Sequence, residues 1–153
     1  MNLNRLTMGG RVVAISALLL FIDSFLPWFH KCVSFSFLGV SSVCGSHSAW
    51  SKPLSLLGIL VAIAMLVQIG LELAAVDLPR LGTISWAQAQ LVAAGLVFLL
   101  VGIGVAVGDS PLDRYVFGYI GLVLAIGVLV GAVMRYREAE AHPVPGHGQP
   151  MAP

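Results

Sequence analysis

Four long stretches of the sequence carry almost no charge, and this pattern restricts the fold more than any other feature. They cover residues 12–29, interrupted by Asp23, and residues 53–71, 81–108 and 115–134. A transmembrane helix needs about 20 predominantly apolar residues to cross a hydrocarbon core about 30 Å thick. With 58% hydrophobic and 10% charged residues, the chain has too few polar side chains to coat a soluble domain of its size. The pattern predicts an integral membrane protein.

The predicted fold class is all-α, a four-helix membrane bundle, because backbone polar groups in lipid must be satisfied within each segment. Trp and Tyr residues favour the headgroup region and therefore mark where the spans begin and end. The predicted spans are residues 11–29, 54–76, 86–108 and 115–135. The bundle and its loops form one domain, residues 1–140. The Pro- and Gly-rich segment 141–153 is predicted to be a disordered cytoplasmic tail.

The positions of Lys and Arg predict that both termini are cytoplasmic, since cytoplasmic flanks carry the excess of basic residues. This orientation places five basic residues inside and three outside. The inside group is Arg5, Arg11, Arg80, Arg135 and Arg137, and the outside group is Lys31, Lys52 and Arg114. A cleaved signal peptide is the alternative for the first stretch, but the bulky residues from Pro27 to His30 offer no small-residue cleavage site. We therefore expect a signal anchor and a multi-pass protein of the cell membrane.

The longest connection, residues 30–52, is predicted to lie outside the membrane and contains both cysteines of the chain, Cys32 and Cys44. In an oxidising compartment the pair predicts a structural disulfide, which would stabilise the loop by about 3 kcal/mol. The alternatives are free or intermolecular thiols, a redox-active pair, and metal ligands together with His30 and His47. Redox motifs and zinc sites usually have more closely spaced ligands than this sequence does. We expect no metal and no cofactor.

Apolar and polar residues alternate inside this outer loop. Val33, Phe35 and Phe37 are separated by serines, and Gly39 precedes a second short run. Period-two alternation of this kind predicts a strand and a small hairpin pinned by the disulfide. Two roles fit its aromatic residues: contact with lipid headgroups, or a partner-binding surface. The residues predicted for a partner-binding surface are Phe35, Phe37 and Trp50.

Four spans, cytoplasmic termini and a first outer loop with Trp28, Cys32 and Cys44 resemble the claudin layout. Claudins carry a Gly-Leu-Trp motif before the two cysteines, whereas here Leu26-Pro27-Trp28 lies at the end of the first span and both gaps are longer. The resemblance covers the first third of the chain and implies a similar architecture only. In composition, rich in Ala, Gly, Val and Leu, the chain resembles small uncharacterised four-span membrane proteins of high-GC bacteria such as actinobacteria.

Polar residues inside the predicted spans form two separated layers. Asp23 lies about 7 Å below the outer interface, where Arg114 or a Tyr hydroxyl is expected to fix it in helix packing. A protonatable site in an ion path and simple hydration are the alternatives. The inner layer is predicted to hold interhelical hydrogen bonds, and its members are Gln68, Glu72, Gln88 and Gln90. Because the middle of the bundle is aliphatic, a continuous wet pathway through one protomer is not expected.

Small residues repeat at helical spacing in the last two spans. Gly104 and Gly108 form one small-xxx-small motif, and Gly127 and Gly131 form another. Such residues let helix backbones approach closely where lipid gives little hydrophobic driving force for association. We expect contacts within the bundle, with a seam to a second copy or another membrane protein as the alternative.

The sequence lacks a phosphate-binding Gly-rich loop, a Ser-His-Asp set at one depth, a helix-borne metal pair and a basic face for nucleic acid. We therefore expect no enzymatic activity. The leading hypothesis is a membrane scaffold or accessory subunit that presents the outer loop and a Gly-lined helix face to a cell-envelope partner. The alternatives are an oligomeric channel or transporter subunit with Asp23 facing the pathway, and a thiol oxidoreductase that uses Cys32 and Cys44.

Overall fold

The computed structural model describes residues 7–35, 40–74, 76, 84–107 and 116–141, with residues 30–35 and 40–44 described by their backbone alone. The elements are helix α1, strands β1 and β2, a short 3₁₀ helix, and helices α2, α3 and α4. Their bounds are α1 Met8–Asp23, β1 Pro27–Phe35, β2 Val40–Ser48, the 3₁₀ helix Ala49–Ser51, α2 Pro53–Leu73, α3 Trp86–Ala106 and α4 Val116–Ala141. The four predicted helices are thus confirmed.

The helices form an antiparallel bundle. α1 packs most extensively on α4, α3 packs on both α2 and α4, and a smaller contact between α1 and α2 closes the ring. The start of α1 at Gly9 meets Arg135 near the end of α4, whereas Gly121 near the start of α4 meets Asp23 at the end of α1. Since the hairpin of β1 and β2 lies beside Gly118, we name this the hairpin end. The opposite end, where Glu72 lies, is the Glu72 end.

Three of the helices, α2, α3 and α4, are long and apolar enough to cross a membrane. Their bounds lie within a few residues of the predicted spans, except that α4 continues to Ala141. This last extension is hydrophilic and rich in good helix formers, so the helix continues where the apolar sequence stops. The predicted tail from residue 142 onward, and Gly108, lie outside the described residues.

The first helix ends six residues before the predicted limit of its span. The prediction placed residues 24–29 in the helix, but α1 ends at Asp23 and β1 begins at Pro27. Pro27 has no backbone N–H and disfavours helical geometry at Leu26. The amides of Phe25 and Leu26 instead bond the carbonyls of Ile22 and Asp23 in tight turns. Trp28, predicted to close the span at headgroup depth, is therefore a strand residue.

The backbone confirms the predicted hairpin in the outer loop, which adds a two-stranded sheet to the fold predicted as all-α. The two strands are antiparallel, with Pro27 opposite Ser48 and Val33 opposite Val43. Each strand is nearly continuous with a helix, β1 with α1 and β2 with α2 through the 3₁₀ helix. The hairpin is thus an extension of the first two helices of the bundle.

Glycines occupy close approaches between helices. Three of the four predicted packing glycines lie against another helix, as the pairs Gly104 with Ser55, Gly127 with Ser16, and Gly131 with Val13. A Cβ added at Gly127 would lie 2.7 Å from the Ser16 Oγ atom, closer than van der Waals contact permits. These glycines therefore let α1 approach α4, and α2 approach α3, within the bundle.

Candidate functional site at the hairpin end

The indole of Trp28 fastens the hairpin to the bundle. Its side chain is fully buried, and its Nε1–H donates a 2.9 Å hydrogen bond to the Asp23 carbonyl oxygen. The ring occupies the space that a side chain at residue 121 would need: a Cβ at Gly121 would lie 2.5 Å from Trp28 Cζ2. Large aromatic side chains dominate core packing, and a buried indole N–H requires an acceptor. The contact between α1, β1 and α4 supplies both the close packing of the ring and the acceptor for its N–H.

Trp50 makes a second connection between the hairpin and α1. Its Nε1–H donates to the Ser24 Oγ atom at 3.1 Å, and the Ser24 hydroxyl donates to the Phe21 carbonyl at 2.6 Å. The Trp50 ring lies 5.5 Å from the Phe25 ring, measured between centroids. Trp50, predicted as a partner contact, is only partly exposed and packs against the core. Its described contacts are those of an anchor for the hairpin.

A small open cavity lies where β2 leads into α2. It has a volume of about 300 Å³ and is lined by Phe29, His47, Ser51 and Lys52. Phe29 is buried, and the Lys52 Nζ atom lies 5.4 Å from the centroid of its ring, within cation–π range. The cavity therefore has an apolar side formed by the Phe29 ring and a positively charged side formed by Lys52.

Asp23 lies at the last turn of α1, where its Oδ2 atom and the Trp28 ring both adjoin Gly121 of α4. The residue is only 5% exposed, and its Oδ2 atom has no hydrogen-bond partner among the described residues. Arg114 and Tyr115, near which its partner was sought, lie outside the described part of the chain. Tyr119 is described, and about half of its surface is exposed. The carboxyl group thus faces the interior of the α1–α4 contact.

The backbone places Cys32 of β1 directly opposite Cys44 of β2. Opposed Cα atoms in antiparallel strands lie about 4.5–5.5 Å apart, which falls within the range of about 4.4–6.8 Å that a disulfide spans. The side chains of both cysteines, and that of Phe35, are not described, and Phe37 lies in the undescribed connection between the strands. The register therefore brings together two residues that the sequence separates.

At the Glu72 end, the main polar contact joins α2 to α4. The Arg135 guanidinium donates to the Glu72 carboxylate, and the Gln68 amide donates to the same carboxylate at 3.4 Å. Sequence analysis grouped Glu72 with glutamines and counted Arg135 only as a flanking charge. The sequence signal for this pair was their common depth, because Glu72 lies in the last turn of α2 and Arg135 follows the apolar part of α4, at the same end of the bundle.

The other two members of the predicted inner layer behave differently. The Gln88 side chain caps α3. Its Oε1 atom accepts from the backbone N–H of Ser85, and the Ser85 hydroxyl oxygen accepts from the backbone N–H of Gln88. Gln90 is 1% exposed, and neither atom of its amide group has a hydrogen-bond partner within the described ranges. Gln88 is thus part of a capping box, and its side chain also hydrogen-bonds Tyr136 of α4, an interhelical contact of the predicted kind.

Glu138 is a further contact that sequence reasoning missed. Its carboxylate accepts from the Gly9 amide, at 3.2 Å to Oε1 and 3.3 Å to Oε2. Thr7 accepts from the next amide, that of Gly10. The first turn of a helix has free N–H groups and a partial positive charge, so a carboxylate there is favourable. Glu138 thus ties the end of α4 to the start of α1.

No group of three or more His, Cys, Asp or Glu residues that could hold a metal occurs in the described part of the chain. The hydrogen bonds described above lie at the two ends of the bundle, where they anchor the hairpin, cap helices and join Glu72 to Arg135. Taken together, these features define a helical bundle with three membrane-length helices and a hairpin fastened to one end of the bundle. Comparisons with protein-family models, curated proteins and solved structures give no match, so the function is argued from geometry.

Proposed function

We propose that the protein is a four-span membrane scaffold or accessory subunit that presents its hairpin to a partner in the cell envelope. The observation that carries the proposal is the burial of Trp28, which fixes the strands relative to the helices. A surface held in a fixed orientation binds a partner with less ordering entropy than a flexible loop does. Such anchoring, without a catalytic arrangement among the described side chains, favours a non-enzymatic presenting role.

The fourth span of this proposal is α1. Its contacts with α4 run from Gly121 to Arg135, a distance of about 21 Å along a helix that can itself cross a membrane. The side chains of α1 that face away from the bundle are apolar and largely exposed, including Ile15, Leu18 and Ile22. Large exposed apolar surfaces on several faces suit contact with lipid. Both termini then lie on one side, and the basic residues favour the cytoplasmic side.

The proposal includes a disulfide between Cys32 and Cys44, supported by their opposed register. The bond would close the hairpin near its tip and keep both strands paired. Mass mapping of alkylated peptides without reductant should find the two cysteines linked in one peptide pair. Persistent oxidation under mild reductant would exclude the alternative of a redox-cycling pair, whereas ready reduction and reoxidation by a partner thiol or quinone would favour the thiol oxidoreductase.

Site-specific photocrosslinking in membranes tests the presenting role. A photoreactive residue at Ser46, exposed on β2, should yield one defined adduct, and the same residue at Ala139, exposed at the far end of α4, should not. In a Trp28→Ala background the Ser46 adduct should weaken, because the hairpin loses its fixed position. A protein that stays monomeric on native electrophoresis and gives no Ser46-specific adduct would refute the scaffold.

A second candidate is an oligomeric channel or transporter subunit. The observation that favours it is the buried carboxylate of Asp23, whose Oδ2 atom has no hydrogen-bond partner among the described residues. An ionisable group in a membrane segment is a functional-site hypothesis by default. Liposomes containing the protein should then show flux that Asp23→Asn alters. Flux equal to that of empty liposomes, or indifferent to the substitution, would reject this candidate.

A further inference from the structure

The amide group of Gln90 lies in the interior of the bundle without a described hydrogen-bond partner. Gln90 begins the row of buried residues of α3 that continues with Ala94 and Val97, so its side chain projects between the helices. The residue is 1% exposed, and neither atom of its amide group is paired within the described ranges. Buried polar groups are almost always paired, with other protein groups or with ordered water. The Gln90 amide therefore requires a donor and an acceptor at its own depth.

Contacts between α3 and α4 place Gln90 at the depth of Arg135. The side chain of Gln88 hydrogen-bonds Tyr136, and α3 and α4 are antiparallel. Residue 90 therefore lies level with residue 134, which directly precedes Arg135. Since successive residues rise by about 1.5 Å along a helix, the side chains of Gln90 and Arg135 start from nearly the same depth.

The Arg135 side chain crosses the interior of the bundle at this depth. α2 and α4 occupy opposite corners of the ring, with α1 and α3 between them, so the contact from Arg135 to Glu72 runs across the bundle. The Nη2 atom makes this contact, whereas the Nη1 atom is buried and has no hydrogen-bond partner among the described residues. An unpaired donor of Arg135 and the unpaired amide of Gln90 thus share one part of the interior.

The buried residues of α1 and α2 at this depth offer no polar side chain to the amide. On α1 they are Gly9 and Gly10, which have no side chain, and on α2 the buried residue is Ile69. The Gln68 side chain, at a similar depth, directs its own amide to Glu72. Where buried polar groups have no protein partner, ordered water molecules commonly supply about three hydrogen bonds each.

We infer that the Glu72 end of the bundle binds water between Gln90 and Arg135. One water molecule donates to the Gln90 oxygen and accepts from Arg135 Nη1, and a neighbouring water accepts from the Gln90 nitrogen. Because the charge of Arg135 is already paired with Glu72, a neutral molecule that both donates and accepts suits the site, whereas an ion does not. The bound water adds α3 to the polar contact between α2 and α4, so that three helices are hydrogen-bonded together at this depth.

Solid-state NMR of the full-length protein in lipid bilayers tests the site directly. Magnetisation transferred from water should reach the side-chain amide of Gln90 within a short mixing time, and its signal is identified by its loss in a Gln90→Met variant. The methyl group of Ala94, one turn deeper and fully buried, is the reference and should receive none. Transfer to Gln90 no greater than transfer to Ala94 would overturn the inference.

Thermal unfolding of Gln90→Met gives a second test, because a hydrated amide and an unpaired amide predict opposite results. Met and Gln have similar helix propensities, so the comparison reports on the side-chain contacts. Loss of the water-mediated hydrogen bonds should lower the unfolding midpoint by about 2–4 °C, the shift that corresponds to one hydrogen bond in a chain of this size. An unchanged or higher midpoint would show that the amide is unpaired and would overturn the site.

An Arg135→Lys background tests whether the water joins the two side chains. Lysine keeps a positive charge for Glu72 but lacks a second nitrogen, so Gln90→Met should then lower the midpoint by less. An equal shift in both backgrounds would contradict the bridge between Gln90 and Arg135. Val92→Met, on the exposed side of α3, is the control and should leave the midpoint unchanged.

Discussion

At the scale of single residues, Gly121 is a position where the packing leaves no space for a side chain. A Cβ there would lie 2.5–2.6 Å from the Trp28 ring and 3.0 Å from Asp23 Oδ2. We expect Gly121→Ala to destabilise the protein by about 1–3 kcal/mol, because the buried indole has no room to move. Denaturant or thermal unfolding in detergent measures this change.

Gly95 on α3 provides the matched control for Gly121→Ala. A Cβ at Gly95 meets no atom within 4 Å, and alanine has a higher helix propensity than glycine. Gly95→Ala should therefore be neutral or slightly stabilising. Equal losses of stability at both positions would mean that close packing against Trp28 does not determine the cost.

The second prediction at the scale of single residues concerns the contribution of the Glu72–Arg135 ion pair to stability. The two side chains are 25% and 16% exposed, so solvent screens part of their attraction. We expect Glu72→Gln to destabilise the fold by about 1–3 kcal/mol, since it leaves a largely buried guanidinium without its carboxylate. Arg137→Gln, two residues away and exposed, should cost much less.

A double-mutant cycle with Glu72→Gln and Arg135→Gln isolates the interaction of this pair. Because the two side chains bond directly, their effects should be non-additive, and the double variant should be more stable than the sum of the single losses predicts. Strictly additive losses would show that the two charges do not interact in the folded protein.

At the scale of elements, the hairpin depends on Trp28 more than on its own two strands, because an isolated two-stranded hairpin is marginally stable in water. We expect Trp28→Ala to raise the hydrogen-exchange rates of amides in β1 and β2 while those of α2 and α3 change little. The same truncation at Trp86, at the opposite end of the bundle, should leave the exchange rates of the strands unchanged. Strands that stay protected in Trp28→Ala would show that the disulfide or the turn alone holds the hairpin.

The sequence predicts those elements that are defined by residues close together in the chain. The apolar runs of α2, α3 and α4 and the alternation around Phe35 are local patterns, and the structure has helices and strands there. The early end of α1 was missed because residues 24–29 are apolar enough for a span, although Pro27 marked the break. The burial of Trp28, the Arg135–Glu72 pair and the Glu138 cap depend on contacts between distant segments, which no local pattern encodes.

At the scale of the whole molecule, the bundle is held at both ends by contacts that join its first helix to its last. Glu138 bonds the first turn of α1, and Trp28 fills the space beside Gly121 at the other end. Between them, small residues keep the helices close. α1 is 16 residues long, about 24 Å of helix, and the turn before β1 extends it toward the full thickness of a bilayer. The packing of α1 on α4 therefore decides whether the chain crosses the membrane three or four times.

The proposed topology predicts that the N-terminus and the residue after Ala141 lie on the same side of the membrane, with the hairpin on the other. Reporter fusions that are active only in the cytoplasm should work at both positions. An epitope inserted after Gly45, exposed on β2, should be accessible from outside intact cells. Three crossings by α2, α3 and α4 alone would place the hairpin and the N-terminus together, opposite the end of α4. Protease treatment of sealed vesicles checks the result independently, because four crossings protect both terminal reporters or expose both, whereas three crossings expose only one.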